Sequence, residues 1–123
     1  MYAVRLQDSQ VSEEIIWLKK MFIIIFITAA NKKEARKIAR GLLKHKLAAC
    51  VNIVSGIESL FWWKGKIDQA KECLLLVKTK KTKLPWVIKL VKSLHSYEVP
   101  EIIALSIVAG EKKYLNWINA SIR

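Results

Sequence analysis

The stretch CVNIVSGIESLFWWKGKIDQAKECLLLVKT, Cys50 to Thr79, reads as two long strands folded back on each other. Cys50 to Trp63 is β-prone throughout, and Lys64-Gly65 supplies the hairpin turn. The return strand runs from about Gln69 to Thr79, with Leu74, Leu75, Leu76 and Val77 as its buried centre. At Ser55-Gly56 the apolar alternation changes phase, as an inserted bulge requires. Trp62 and Trp63 are neighbours, so the pleat sends their indoles to opposite faces, and at least one cannot enter the core of its own subunit. The turn also sets Cys50 opposite about Thr79 and Cys73 opposite about Gly56. That is roughly 20 Å apart along the ladder, so the two should be separate thiols.

Elements on either side of this hairpin complete the order. Phe22 to Thr28 is a continuous β-branched and aromatic run, expected to be a strand buried on both faces. Asn31 then caps a helix, with Glu34 at capping-box spacing and Ala35, Ile38, Ala39, Leu42 and Leu43 forming an apolar stripe. After the hairpin, Thr82 is expected to cap a second helix. Pro85 falls in its first turn, and Leu84, Val87, Ile88, Val91 and Leu94 repeat at helical spacing. Glu101 to Val108 gives a fourth strand, Gly110 breaks it, and Tyr114, Trp117 and Ile118 mark a short terminal helix. This βαββαβ order predicts an α+β, ferredoxin-like sandwich: four antiparallel strands with both main helices on one face. The other face then lacks a cover, and association with further copies is expected to supply one.

Composition narrows the class. The chain has 123 residues, enough for one packed core, and is 53% hydrophobic with five tryptophans. Residues 1–20 balance Arg5, Lys19 and Lys20 against Asp8, Glu13 and Glu14, so the net charge of +12 belongs to Met21 onward. The reading is an N-terminal extension, 1–20, followed by one domain, 21–123. The extension is either a short helix from Ser12-Glu13-Glu14 or a segment preceding a true start at Met21. The apolar run Met21 to Ala30 is shorter than the roughly 20 residues that a membrane-crossing helix needs. Lys19-Lys20 before it imitates a signal peptide, but no small-x-small cleavage site follows, so a cytoplasmic protein with free thiols is expected.

Chemistry-bearing groups converge on His95-Ser-Tyr97-Glu98-Val-Pro100-Glu101, which holds an imidazole, a phenol and two carboxylates. His95 is either a metal ligand or a turn-capping histidine bonded to backbone or to Glu98. Glu98 and Glu101 are either oxygen ligands or members of ion pairs. Cys50 is a candidate thiolate ligand or a small buried hydrophobe. Glu72 and Lys78 on the third strand need partners, with Tyr97 or Glu98 in reach, and they line either an intersubunit groove or a buried polar network. Trp63, Tyr114 and Trp117 suit interface packing or a ligand platform, and His45 at a helix end suits the helix dipole. No catalytic constellation is complete: Thr28-Ala-Ala-Asn31 lacks a phosphate loop with arginine, and no nucleophile has a base at a recognisable spacing. A non-enzymatic protein is expected. The positive charge invites a nucleic-acid reading, yet Leu74 to Thr79 offers no base-stacking aromatics, and the first-helix cations read as a solvated face.

Four ordered segments, LAACVNIVSGIESLFWWKGKI (Leu47 to Ile67), LLLVKT (Leu74 to Thr79), LHSYEVPEIIAL (Leu94 to Leu105) and YLNWINAS (Tyr114 to Ser121), resemble the CutA divalent-cation tolerance family across Met21 to Arg123. The resemblance implies a ferredoxin-like subunit in a three-fold homotrimer, similar in architecture to the PII signalling proteins, with divalent-metal tolerance as its role and Cu(II) as the metal. Folding would not require the metal. Bacterial members with assigned copper ligands carry a cysteine late in strand one and two adjacent histidines at the end of helix two. The matching positions here are Ile27, Leu94 and His95, so one ligand of three is present. Where many members have proline, this chain has Ser55, Ser96 and Ser106. His95, Glu98 and Cys50 are therefore the candidate metal residues, and Glu72, Lys78, Tyr97, Trp63 and Trp117 the candidate groove residues. A PII-like sensor holding a small anionic ligand near Lys78, and a nonspecific nucleic-acid binder, are the alternatives.

Overall fold

A computed structural model describes residues 21–122. The readings made for residues 1–20 lie outside the described residues. Strand β1 is Phe22–Ala29, helix α1 Lys32–Lys44, β2 Cys50–Trp63 and β3 Lys66–Lys80. A 3-10 turn at Lys81–Lys83 leads into α2, Leu84–Leu94, followed by β4, Ile102–Ser106, and α3, Lys112–Ser121. The sheet is antiparallel with order β2-β3-β1-β4, as the ferredoxin-like reading requires.

Alternation decides which residues meet the helices. Ile23, Ile25, Ile27 and Ala29 of β1 stand opposite Thr79, Val77, Leu75 and Cys73 of β3, and all eight are buried. Ala35, Ile38, Ala39 and Leu42 of α1 and Val87 and Val91 of α2 close over them as the main core. At Gly41 an added Cβ would lie 3.2 Å from Leu94 Cδ1, so glycine there lets α1 and α2 approach closely.

Phe22, Ile24, Phe26 and Thr28 point to the other face. Among the described residues one end of it is covered by a helix, where Phe22 packs with Leu115, Ile118 and Ile122. Ile24, Phe26, Leu74 and Leu76 are half-buried, and Ile103 and Leu105 of β4 are exposed. This corrects the expectation that β1 is buried on both faces: within one chain, its second face is sealed at its ends and half-open between them.

Turn chemistry follows the sequence closely. Lys64 and Gly65 both adopt positive φ, 51° and 78°, the signature of a type I′ hairpin turn. The register shifts between Val54 and Ile57, with Gly56 at φ 77°. One residue shifts relative to the reading: Cys50 faces Lys78 instead of Thr79. Both cysteines are free thiols. The pairs Ile57↔Glu72 to Trp63↔Lys66 run past Ala29↔Cys73, the last pair between β3 and β1, so the hairpin projects as an arm. Trp62 on that arm is 73% exposed.

Three boundaries differ from expectation. Strand β3 starts earlier, at Lys66, because the tight turn lets pairing begin at once. Strand β4 is shorter than 101–108: its ladder with β1 begins at Ile27↔Ile102, just past the donorless Pro100, and the neighbouring Thr28 carbonyl accepts from the His95 ring. Thr82 falls inside the 3-10 turn and caps nothing; α2 opens at Leu84 with Pro85 in its first turn and no side-chain cap. Leu43, at the end of the α1 stripe, is exposed.

Candidate functional site

Helix α2 stops because His95 leaves the helical region, at φ −82° and ψ 141°, after its N–H donates to Val91 O at 2.9 Å. Its ring then turns back onto β1. Nε2 lies 2.6 Å from the Thr28 carbonyl, which can only accept, so Nε2 carries the proton. In the neutral ring Nδ1 is then the acceptor, and the Tyr97 N–H lies 3.0 Å from it. The side chain is fully buried, with Glu34 Oε1 at 3.3 Å from Nδ1. The histidine thus pins the turn to β1 and α1, and its carboxylate neighbour is Glu34 instead of Glu98.

Glu34 departs from a simple capping box. Asn31 does cap α1, accepting from Glu34 N–H at 2.9 Å. The Glu34 carboxylate instead accepts from Ala30 N–H at 3.0 Å, from Ser96 N–H at 2.6 Å and from Ser96 Oγ at 3.0 Å. Burial pushes its carboxyl pKa up, but the Ser96 and Ala30 amides, the Ser96 hydroxyl and His95 together outweigh burial and hold it below the ordinary value.

Tyr97 extends the network to β3. Its hydroxyl donates to Glu72 Oε2 at 2.8 Å, and its ring lies 4.7 Å from the His95 ring at a 51° tilt. Glu72 is buried, so the phenol is the partner that the sequence required of it. Burial, then the Glu72 hydrogen bond and the Glu72 and Glu34 charges, push the Tyr97 pKa up to about 12. Because the folded value exceeds the unfolded one, Tyr97 contributes stability that is fully present below about pH 10 and lost as pH rises toward 12. Absorbance titration at 295 nm should show a late phenol near pH 12 that Tyr97→Phe removes.

The remaining candidates lie elsewhere. Cys50, Asn52 and Lys78 meet on the outer sheet face, where Lys78 Nζ donates to Asn52 Oδ1 and the Cys50 thiol faces the same oxygen at 3.9 Å. Tyr114 stands beside Cys50, its pKa raised by burial first and then by the thiol, and it packs on Trp117 at 5.5 Å. Lys78 therefore joins neither Tyr97 nor Glu72. Glu98 is exposed, at a shallow pocket of about 310 Å³ with Lys92, Val99 and Pro100. Trp63 sits on the arm with Lys64 over its ring, and His45 Nδ1 lies 3.0 Å from the Gly41 carbonyl at the end of α1. The expected groove residues thus divide among three places within one chain.

A copper ion does not fit at His95 within one subunit. Both ring nitrogens are engaged. The two positions matching family ligands are Ile27, in the core, and Leu94, packed against it. Among the described residues no three His, Cys, Asp or Glu side chains are grouped so as to hold a metal. The sequence missed Glu34, Ser96, Thr28 and Asn52 as members of these clusters. Only the capping-box spacing marked Glu34, and it pointed to the wrong partner.

Residues 23–121 match the family model described as CutA1 divalent ion tolerance protein. "Protein CutA 1, chloroplastic" of Oryza sativa is 46% identical over 101 residues, 82% of this chain and 57% of that protein. "Divalent-cation tolerance protein CutA" of Archaeoglobus fulgidus is 47% identical over 102 residues, 83% of this chain and 99% of that one. The crystal structure of CutA1 from Oryza sativa superposes with a TM-score of 0.82 at 43% identity, covering 86% of this chain and 97% of that one. The match spans little more than half the length of the plant relatives.

Proposed function

Because the chain belongs to the CutA1 divalent ion tolerance family, we propose that it serves divalent-cation tolerance as a non-enzymatic homotrimer that meets Cu(II) with donors from more than one subunit. The observation that carries this reading is the sheet face turned away from the main helices. Between the α3-covered end and the arm it presents half-buried Ile24, Phe26, Leu74 and Leu76 and exposed Ile103 and Leu105. A closed ring buries such a face without leaving a copy exposed. The exposed carboxylates Glu98 and Glu101 and the half-buried Cys50 thiol are donors left for a neighbouring subunit to complete. Within the turn, His95, Ser96 and Tyr97 are spent on the Thr28 carbonyl, Glu34 and Glu72, which supports a structural role for these three.

The test joins light scattering to calorimetry on tag-free protein. The expected mass is three times the 14.1 kDa chain. Cu(II), titrated against a weak competing chelator, should bind wild type and His95→Gln alike and bind Glu98→Gln/Glu101→Gln more weakly. A monomer would overturn the assembly. Copper binding lost in folded His95→Gln would put the imidazole at the metal and overturn its structural role.

A further inference from the structure

The outer surface of the helix layer carries charge of nearly one sign. Helix α1 bears six lysines and arginines, and the 3-10 turn with α2 bears four, against one carboxylate, Glu34. Glu34 is turned inward to Ser96 and Ala30. On α1, Lys33, Arg36, Lys37 and Arg40 alone line a shallow pocket of about 580 Å³, and Lys44 continues their row one turn on. Among the described residues none of these cations has an ion pair; the one found joins Glu34 to His95. Each stands three or four positions from another cation, so the helix holds like charges together that a row of anions would relieve.

We propose that this face docks the phosphate backbone of duplex DNA without regard to sequence. Lys33 to Lys44 spans about 16 Å of helix, which matches about five phosphates along one strand. Arg36 and Arg40 supply planar forks suited to phosphate oxygens. A bilayer is the poorer occupant, because the apolar stripe of α1 is sealed in the core and leaves nothing to insert. A single strand is also poorer, because among the described residues α1, the 3-10 turn and α2 carry one aromatic between them, Trp86, with Lys89 Nζ lying 5.9 Å from its ring centroid. The sequence alone reads these cations as a solvated face. The structure adds that among the described residues no carboxylate neutralises them, and that α2 and its 3-10 turn add four more in the same layer.

The test uses the full chain and a fluorescein-labelled 20-base-pair duplex of arbitrary sequence, followed by anisotropy at several salt concentrations. Engagement of about four phosphates, one for each pocket-lining cation, predicts a log–log salt slope of about −3.6, or roughly a 150-fold loss of affinity between 50 and 200 mM salt. Lys33→Gln/Arg36→Gln/Lys37→Gln/Arg40→Gln should abolish most of that slope. A control with the same charge change away from this face, Lys64→Gln/Lys66→Gln/Lys71→Gln/Lys113→Gln, should keep it, with both variants folded by circular dichroism. No binding to the duplex would overturn the proposal. So would equal loss in both variants, which means net charge only, or binding to phosphatidylserine vesicles without binding to the duplex.

Discussion

His95→Ala is expected to cost about 3 kcal/mol of stability, lowering the melting temperature by roughly 10–20 °C when wild type and variant are compared at equal concentration. The magnitude follows from what the ring joins. Thr28 of β1 loses its donor, the Tyr97 N–H loses its acceptor, and a fully buried side chain leaves a cavity. Asn31 still caps α1 and Glu34 keeps Ser96 and Ala30, while the turn after α2 loosens from β1. Among conservative replacements, His95→Gln should recover more than His95→Asn. The glutamine amide reaches where Nε2 donates to Thr28, whereas asparagine reaches only the Nδ1 position. Thermal melts followed by near-ultraviolet circular dichroism, sensitive to the neighbouring Tyr97, read this ranking. Equal stability of His95→Ala and wild type would mean that the ring contributes no anchoring.

The difference between what was legible in the sequence and what was not follows the range of the interactions involved. The strand order, the turn at Lys64-Gly65, the bulge at Gly56 and the Asn31 cap are set by neighbours a few residues apart, where glycine, a polar cap and alternation act directly. Glu72 was legible as needing a partner because an acidic residue amid Leu74, Leu75 and Leu76 has no other way to be buried, and Tyr97 answers it. The role of Glu34 was not legible. Its carboxylate meets Ser96 across 62 residues, and no periodicity reports a contact made where the first turn of one helix meets the loop after another at one end of a sheet. The division of Lys78 from Glu72 also needed the structure. Both lie on the outer sheet face, but the six-residue interval places them about 20 Å apart along β3, where Asn52 takes the lysine. Residue type announced which side chains require partners, and topology chose the partners.

Ile103→Glu/Leu105→Glu should convert the proposed trimer to a folded monomer. The two residues stand on the edge strand β4, on the outer face, beside Phe26 and Ile24 of β1. They are 52% and 50% exposed in the single chain, so the substitution leaves the helix-side core untouched, and each carboxylate stays in water while the subunit is alone. Assembly would force them against apolar surface without partners. That costs several kcal/mol per subunit, multiplied around a ring, and forfeits about 1–2 kcal/mol of burial at each aliphatic. Light scattering should then give the mass of one chain, and the melting temperature should lose its dependence on protein concentration. Far-ultraviolet circular dichroism should stay unchanged, because β4 keeps its backbone ladder to β1. A trimeric mass retained by the double variant would remove the outer sheet face from the interface. The arm, where Leu60, Trp62 and Ile67 remain among the most exposed apolar side chains, would then be the surface that holds the copies together.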